Sequence, residues 1–564
     1  MEAETEKIKG EKKRYKPVLP RTRYWPIVQL NKNKKAFIET VTNESLKNLI
    51  TLTSGRSLKE ELESTVYRER LRMKQNPWKV DPKDEKDFWI QIQKRLIEIP
   101  HDDEAKKKET EEAILREIIK RYANEISGNF KNSHYRFART VITFGFARLL
   151  NATRVKGIKS LWSKQLDLDD KIHVVGQVEQ LRRLARRGTI VMVPTHFSNL
   201  DSILIGWVIQ HMGLPPFIYG AGLNLFNIRI FAYFMNSLGA YKVDRRKKNL
   251  IYLETLKTYS QEALKYGCHS LFFPGGTRSR SGAIETQLKL GLLSTTVAAQ
   301  REHFEEDEEK AKKIFIVPVV LNYHFVLEAP SLINDYLERK GQERYYVEND
   351  EYSTSYKIIK FLLKFFTRGS DISVSIGRAM DVFGNYVDNH GNSLDKQGNP
   401  MEIKDYFTTD GVITFDAQRE QEYTRILAKR IVEEYHKYNR VFSSHLVAFT
   451  AFEMIKRRNP ALDLYNLLRL PDEDTEIDYA EFRETFSKLR EEIFRMKEMG
   501  KINFASHLEG PVDDVIKYGI DNCGMYHALR PILKNKKGNV TTQDMNRLFY
   551  YYNRMDGYDL EKFI

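Results

Sequence analysis

The sequence predicts an α/β protein, a mixed sheet with helical regions before and after it. Short branched or aromatic runs, TIVMVP (189–194), HSLFFP (269–274) and KIFIVPVV (313–320), are bounded by Pro or Gly, as strands buried on both faces are. Periodic helical segments lie between them, an alternation that builds a mixed or mostly parallel sheet. Outside this stretch the apolar period is helical.

A chain of 564 residues is too long for one ordinary core, so several domains are expected. Residues 1–35 read as a flexible basic arm, with Pro17, Pro20 and Pro26 breaking any helix. The net charge is +14, and residues 7–35 hold eleven Lys/Arg against one acidic residue, Glu11. A basic tail on a near-neutral body suits nucleic acid or an anionic membrane surface. Residues 36–128 read as an N-terminal helical region. Its clearest helix, 102–126, spaces Ile114, Ile118, Tyr122 and Ile126 four apart, with its charges on a solvated bundle face. The α/β domain is expected over 129–455, with 384–400 as an exposed loop or hairpin, and a C-terminal helical region over 456–564. No internal repeat is evident.

Several classes are excluded or disfavoured. The opening MEAETEKIKG has no apolar core segment, so no secretory signal is expected, and no run of 18 apolar residues predicts a spanning helix. Cys268 and Cys523 make no disulfide or metal framework, which fits a reducing compartment. Residues 472–482 imitate a calcium loop but put Ile477 where Gly is needed and Arg483 where Glu is needed. The loop from Asp388 fails likewise, with Ser393 and Asn399 at those places. GGTRSRSG lacks the ending of a nucleotide P-loop. No metal or redox cofactor is expected.

Chemistry is concentrated in four segments: VPTHFSNLD (193–201), GAYKVDRR (239–246), FFPGGTRSRSG (272–282) and IVPVVLNYH (316–324). Each puts polar or basic residues just after β-formers, so one sheet edge would gather them. His196 falls in the turn after TIVMVP and Asp201 in the first turn of the next helix. A neutral imidazole takes a hydroxyl proton near neutral pH, and a carboxylate on its other nitrogen fixes the tautomer. Alone the pair is weak evidence, because 13 His and 77 acidic residues give about two such spacings by chance. Arg245 and Arg246, after Asp244, suit bidentate contact with a phosphate, or form an ordinary basic turn. Gly275, Gly276 and Thr277 let the backbone approach a ligand, with Arg278, Ser279 and Arg280 as donors. Lys289 comes from the next helix start. Pro318 within a strand marks an edge or bend.

Together, in this order, the segments resemble the four sequence blocks of the glycerolipid acyltransferase superfamily, and most resemble its larger glycerol-3-phosphate branch. The resemblance covers residues 130–455 well and the C-terminal part loosely, through KLGLLSTTVA, SIGRAMDVFG (375–384), 427–452 and YYYNRMDGY (550–558). It implies a glycerolipid-acyltransferase-like fold, with His196 as base and Asp201 orienting it. It also implies Arg245, Arg246, Gly276, Thr277, Arg278, Ser279 and Lys289 around a substrate phosphate, and Pro318 at an acyl-donor pocket. Gly275 departs from the pattern, since the third block carries Glu there, and Phe197 replaces the Arg of the large bacterial enzymes.

The implied reaction moves a fatty acyl group from acyl-CoA or acyl carrier protein to the sn-1 hydroxyl of glycerol 3-phosphate, in phospholipid biosynthesis. 1-Acylglycerol 3-phosphate and dihydroxyacetone phosphate are the alternative acceptors. The expected setting is peripheral, on the cytoplasmic face of a membrane, with no nucleic acid bound. In YKIIKFLLKFF (356–366), Lys357, Lys360 and Lys364 share one helix face against an apolar remainder, a pattern of an interfacial or a core helix. A basic lipid- or nucleic-acid-binding protein is the non-enzyme reading, and it has no need of the His196–Asp201 pair.

Overall fold

The computed structural model describes residues 15–341 and 371–564, apart from 56, 100–102, 138–139, 141–170, 224–232, 234 and 236–238. The segment 356–366 lies outside the described residues. The sheet is mixed. Its strands are β1 (Ile172–Gly176), β2 (Thr189–Pro194), β3 (Ile218–Gly222), β4 (Ala240–Val243), β5 (Ser270–Leu271), β6 (Ile314–Tyr323) and β7 (Ile372–Ile376). They lie in the order β1-β7-β6-β2-β5-β3-β4. β6, β2, β5, β3 and β4 are mutually parallel, whereas β7 runs antiparallel to β6 and carries β1 beside it. The first three blocks therefore all leave the sheet at the same edge, beyond the C-terminal ends of β2, β4 and β5.

Every residue of β2 and β6 is buried, which is why both read as unbroken apolar runs. Alternate side chains serve opposite faces. Ile190, Met192, Val317 and Val319 join a core with helices α6 (Val178–Leu184), α7 (Asp201–His211) and α10 (Ala329–Gly341). Val191, Val193, Ile314 and Ile316 pack with α9 (Leu290–Glu306) and α11 (Ala417–Tyr438). The β3–β4 end is covered by α8 (Leu250–Lys265) and the N-terminal helices.

Those helices are α1 (Pro26–Lys32), α2 (Lys34–Leu52), α3 (Leu58–Gln75), α4 (Glu85–Ile97) and α5 (Glu104–Ile126). The stripe Ile114, Ile118, Tyr122 and Ile126 of α5 is fully buried with Ile251 and Tyr252 of α8, so its solvated face is only the charged one. Burying each such side chain contributes about 1.5–3 kcal/mol. The described part of the basic arm, from residue 15, is not the helix-free tail expected. Pro26 opens α1, where its missing N–H has no helical partner to lose, and Trp25, Ile27 and Leu30 are buried.

Two further expectations change. Pro318 lies on a central strand and not at an edge. Ile316 exchanges both backbone bonds with Met380, and the Pro318 carbonyl accepts from the Gly377 N–H at 2.8 Å. Its missing N–H thus faces the stretch where the chain has already left β7, and no ladder bond is lost. The boundary at 455/456 cuts α12 (Ser443–Arg458), around which α13 (Tyr479–Glu498), α14 (Val512–Asn522) and α15 (Met545–Tyr552) pack. Leu446, Leu489, Ile516 and Leu548 share one core with the sheet, so the C-terminal region is continuous with it. A short repeat also emerges. Asp381, Asp388 and Asp395, seven apart, each cap the same turn by accepting from the backbone N–H of Asn385, Asn392 and Asn399.

Candidate active site

β2 ends at Pro194 and α7 begins at Asp201, so His196 sits in the turn between them. The Asp201 side chain is fully buried, and Oδ2 accepts from the His196 ring at 2.8 Å and from the backbone N–H groups of Phe197 (2.7 Å) and Ser198 (2.9 Å). Tyr323, at the end of β6, donates its hydroxyl to Oδ1 at 2.5 Å. Burial and the neighbouring Asp201 push the Tyr323 phenol far above its usual range, so it stays a donor. With both oxygens engaged as acceptors, the Asp201 carboxylate requires the proton of the ring to be on Nδ1. Nε2 is left with its lone pair. The ring stacks on Phe273 with centroids 4.1 Å apart and keeps 15% of its side-chain surface exposed.

The third block lies directly against the first. The Ser279 N–H donates to the His196 carbonyl at 2.7 Å, and the His196 N–H donates to Glu285 Oε1 at 2.9 Å. Gly276 has φ +78°, a left-handed conformation that glycine adopts freely, and the Lys289 side chain covers it, with Cγ 3.0 Å from where a Cβ would stand. Thr277 is exposed beside it. Ser279 spends its hydroxyl on the Ala283 carbonyl at 2.7 Å, so its side chain shapes the loop. Arg278 meets Glu328 at a long 3.4 Å, and Glu328 in turn accepts from the Asn199 N–H and the Ser198 hydroxyl. The structure thus brings together His196, Asp201, Gly276, Thr277, Arg278, Ser279 and Lys289.

The second block is placed differently. It follows β4 at the sheet's edge, with β5 and β3 between it and β2. Arg245 is exposed there. Arg246 is turned into the N-terminal helical region. Its guanidinium binds Asp244 at 2.7 and 2.9 Å, Asp81 at 3.1 Å and the Asn76 carbonyl at 2.7 Å, and lies 3.9 Å over the Trp78 ring. Lys247 next to it is buried among Glu125, Glu85 and Glu69. Pro318 is buried in β6, paired with Val193. It lies inside the sheet, beside the strand that leads into the first block.

Four residues here were not singled out from sequence: Tyr323, Glu328, Glu285 and Arg554. Arg554 comes from the C-terminal segment, donates to the Leu321 carbonyl and stacks 3.9 Å over Phe197. Burial lowers its pKa to about 10, which still leaves it charged beside buried Asp201 and half-buried Glu285. The same segment binds the third block, where Asn553 donates to the Ser281 carbonyl at 2.9 Å. Gly282 has φ +87°, and a Cβ there would lie 2.1 Å from the Tyr550 carbonyl. Gly282→Ala is therefore expected to lower the melting temperature through strain of about 1–3 kcal/mol. An unaltered melting temperature would mean that this segment does not rest on the third block in solution.

With this geometry in view, residues 175–322 match the sequence model of the acyltransferase family. This stretch is an acyltransferase domain. Relatives that it resembles include proteins named glycerol-3-phosphate acyltransferase. That of Pseudoalteromonas translucida is 29% identical over 238 residues, 42% of this chain and 25% of the relative. That of Actinobacillus pleuropneumoniae is 29% identical over 255 residues, 45% and 27% respectively. That of Shewanella loihica is 26% identical over 243 residues, 43% and 27%. The chain spans about a quarter of the length of these relatives. The acyltransferase domain contains the first three blocks and Pro318 of the fourth.

Proposed function

We propose that the protein transfers a fatty acyl group from a coenzyme A or acyl carrier protein thioester to the sn-1 hydroxyl of glycerol 3-phosphate. His196 Nε2 removes the hydroxyl proton as the oxygen attacks the thioester carbonyl. The C–S bond then breaks, and the imidazolium returns its proton to the departing thiolate sulfur. Asp201 holds the ring and offsets its transient charge. Arg278, Lys289 and the loop backbone at Gly276 and Thr277 hold the acceptor's phosphate. Arg245 adds charge from the second block, while Arg246 fixes that block in place. The observation that carries this reading is the His196–Asp201 pair, tied by backbone bonds to an arginine- and glycine-rich loop.

The acceptor carries the phosphate and the donor does not present it at this loop. Arg278→Ala is therefore expected to raise the KM for the acceptor roughly 10- to 100-fold with little change in that for the donor. Equal rises in both would remove Arg278 from the phosphate site. Among the described residues no helix is long and apolar enough to cross a membrane, and a peripheral position on the cytoplasmic face suits a lipid product. The deciding assay offers glycerol 3-phosphate, 1-acylglycerol 3-phosphate and dihydroxyacetone phosphate in turn, with acyl-CoA and with acyl carrier protein. Transfer to 1-acylglycerol 3-phosphate alone would reassign the acceptor, and no transfer to any would favour a lipid- or nucleic-acid-binding role.

A further inference from the structure

Gly275 opens the third block without a side chain, and the space beside it is filled from elsewhere. A Cβ placed on Gly275 would stand 2.9 Å from Glu285 Cγ and 3.1 Å from its Oε1. That Oε1 accepts the His196 N–H at 2.9 Å, on the residue whose ring is the base. Glu285 Oε2 is buried and has no hydrogen-bond partner among the described residues, so the contact of this carboxyl with the first block is made through Oε1. Gly275, unlike Gly276, does not have a positive φ, so its backbone would accept a side chain. What excludes one is Glu285.

We propose that Glu285 is the positioning residue for the His196 base, its carboxylate reaching back ten residues to occupy the place that a side chain at 275 would take. The inference rests on the acyltransferase reading above. His196 is fixed at three points: its ring on Asp201, its carbonyl on Ser279, and its N–H on Glu285. Losing the third leaves a donor without its acceptor and lets the turn, and the ring with it, move relative to the acceptor hydroxyl. Misplacement of this kind lowers the chemical step and not substrate affinity. Burial, the largest influence, lifts the Glu285 carboxyl to about 7, opposed by the His196 N–H and by Arg554, as befits a group kept inside for its geometry.

The test relocates the carboxylate. Glu285→Ala is expected to lower kcat about 10- to 100-fold with both KM values within a few-fold of wild type. Gly275→Glu alone forces two side chains into one space and should also lose activity. The double variant Gly275→Glu/Glu285→Ala should recover kcat to within about tenfold of wild type, since the carboxylate is restored from the other position. Melting temperatures of all three separate folding from catalysis, and if Glu285→Ala does not fold, the double variant alone decides. Wild-type kcat in Glu285→Ala, or a double variant no faster than Glu285→Ala or inactive where that variant is unfolded, would overturn the assignment. A wild-type protein that transfers no acyl group would instead overturn the function on which it rests.

Discussion

His196→Ala is expected to lower kcat about 10²- to 10⁴-fold while the melting temperature stays close to that of wild type. The ring is at the surface of a turn and not inside a core stripe: it keeps 15% of its side-chain area exposed, with one face on Phe273. The turn itself does not depend on the ring. Asp201 still accepts from the Phe197 and Ser198 backbone and from Tyr323, and the His196 N–H still donates to Glu285. Losing a single ring-to-carboxylate bond therefore leaves Asp201 satisfied, so a large stability cost is not expected. Steady-state acyl transfer alongside thermal unfolding checks both halves. A folded variant that turns over at the wild-type rate would end the general-base mechanism.

How much of this was legible in the sequence follows from how local each feature is. The His196–Asp201 pair is set within thirteen residues, by an apolar strand, a turn and a helix start, and all three have sequence signatures. The sheet was legible because β2 and β6 are buried on both faces and so read as unbroken apolar runs. Features that depend on distant partners left no such trace. Glu285 meets His196 across 89 residues, Arg246 meets Asp81 across 165, and Arg554 meets the Leu321 carbonyl across 233. Pro318 misled for a related reason: a proline forbids a ladder bond, and only the partner strand's early end shows that none was due. Pro26 misled because one residue type both stops a helix and starts one.

Arg246 shows most sharply how a sequence-level role depends on the partner. Two adjacent arginines after a strand suit a phosphate, yet Arg246→Ala is expected to act mainly on stability. Its side chain keeps 5% of its surface, and its partners Asp244 and Asp81 keep 6% and 14%. Truncation leaves nearly buried Asp244 without its cation and Asp81 with only Arg72, at 3.4 Å, and uncovers the face of Trp78. Removing one member of such a buried group costs about 3–5 kcal/mol. The loop between α3 and α4, which bears Asp81 and Trp78, would lose its grip on the second block, and thermal unfolding should register this as a clear fall in melting temperature. Acyl transfer measured well below the transition should show the acceptor KM less affected than by Arg278→Ala. Asp81→Asn, which weakens the same group from the other side, should shift the melting temperature in the same direction. The opposite pattern, an unchanged melting temperature with a large rise in acceptor KM, would return Arg246 to the phosphate. It would also leave the N-terminal helices without the clamping role that their contacts with this block support.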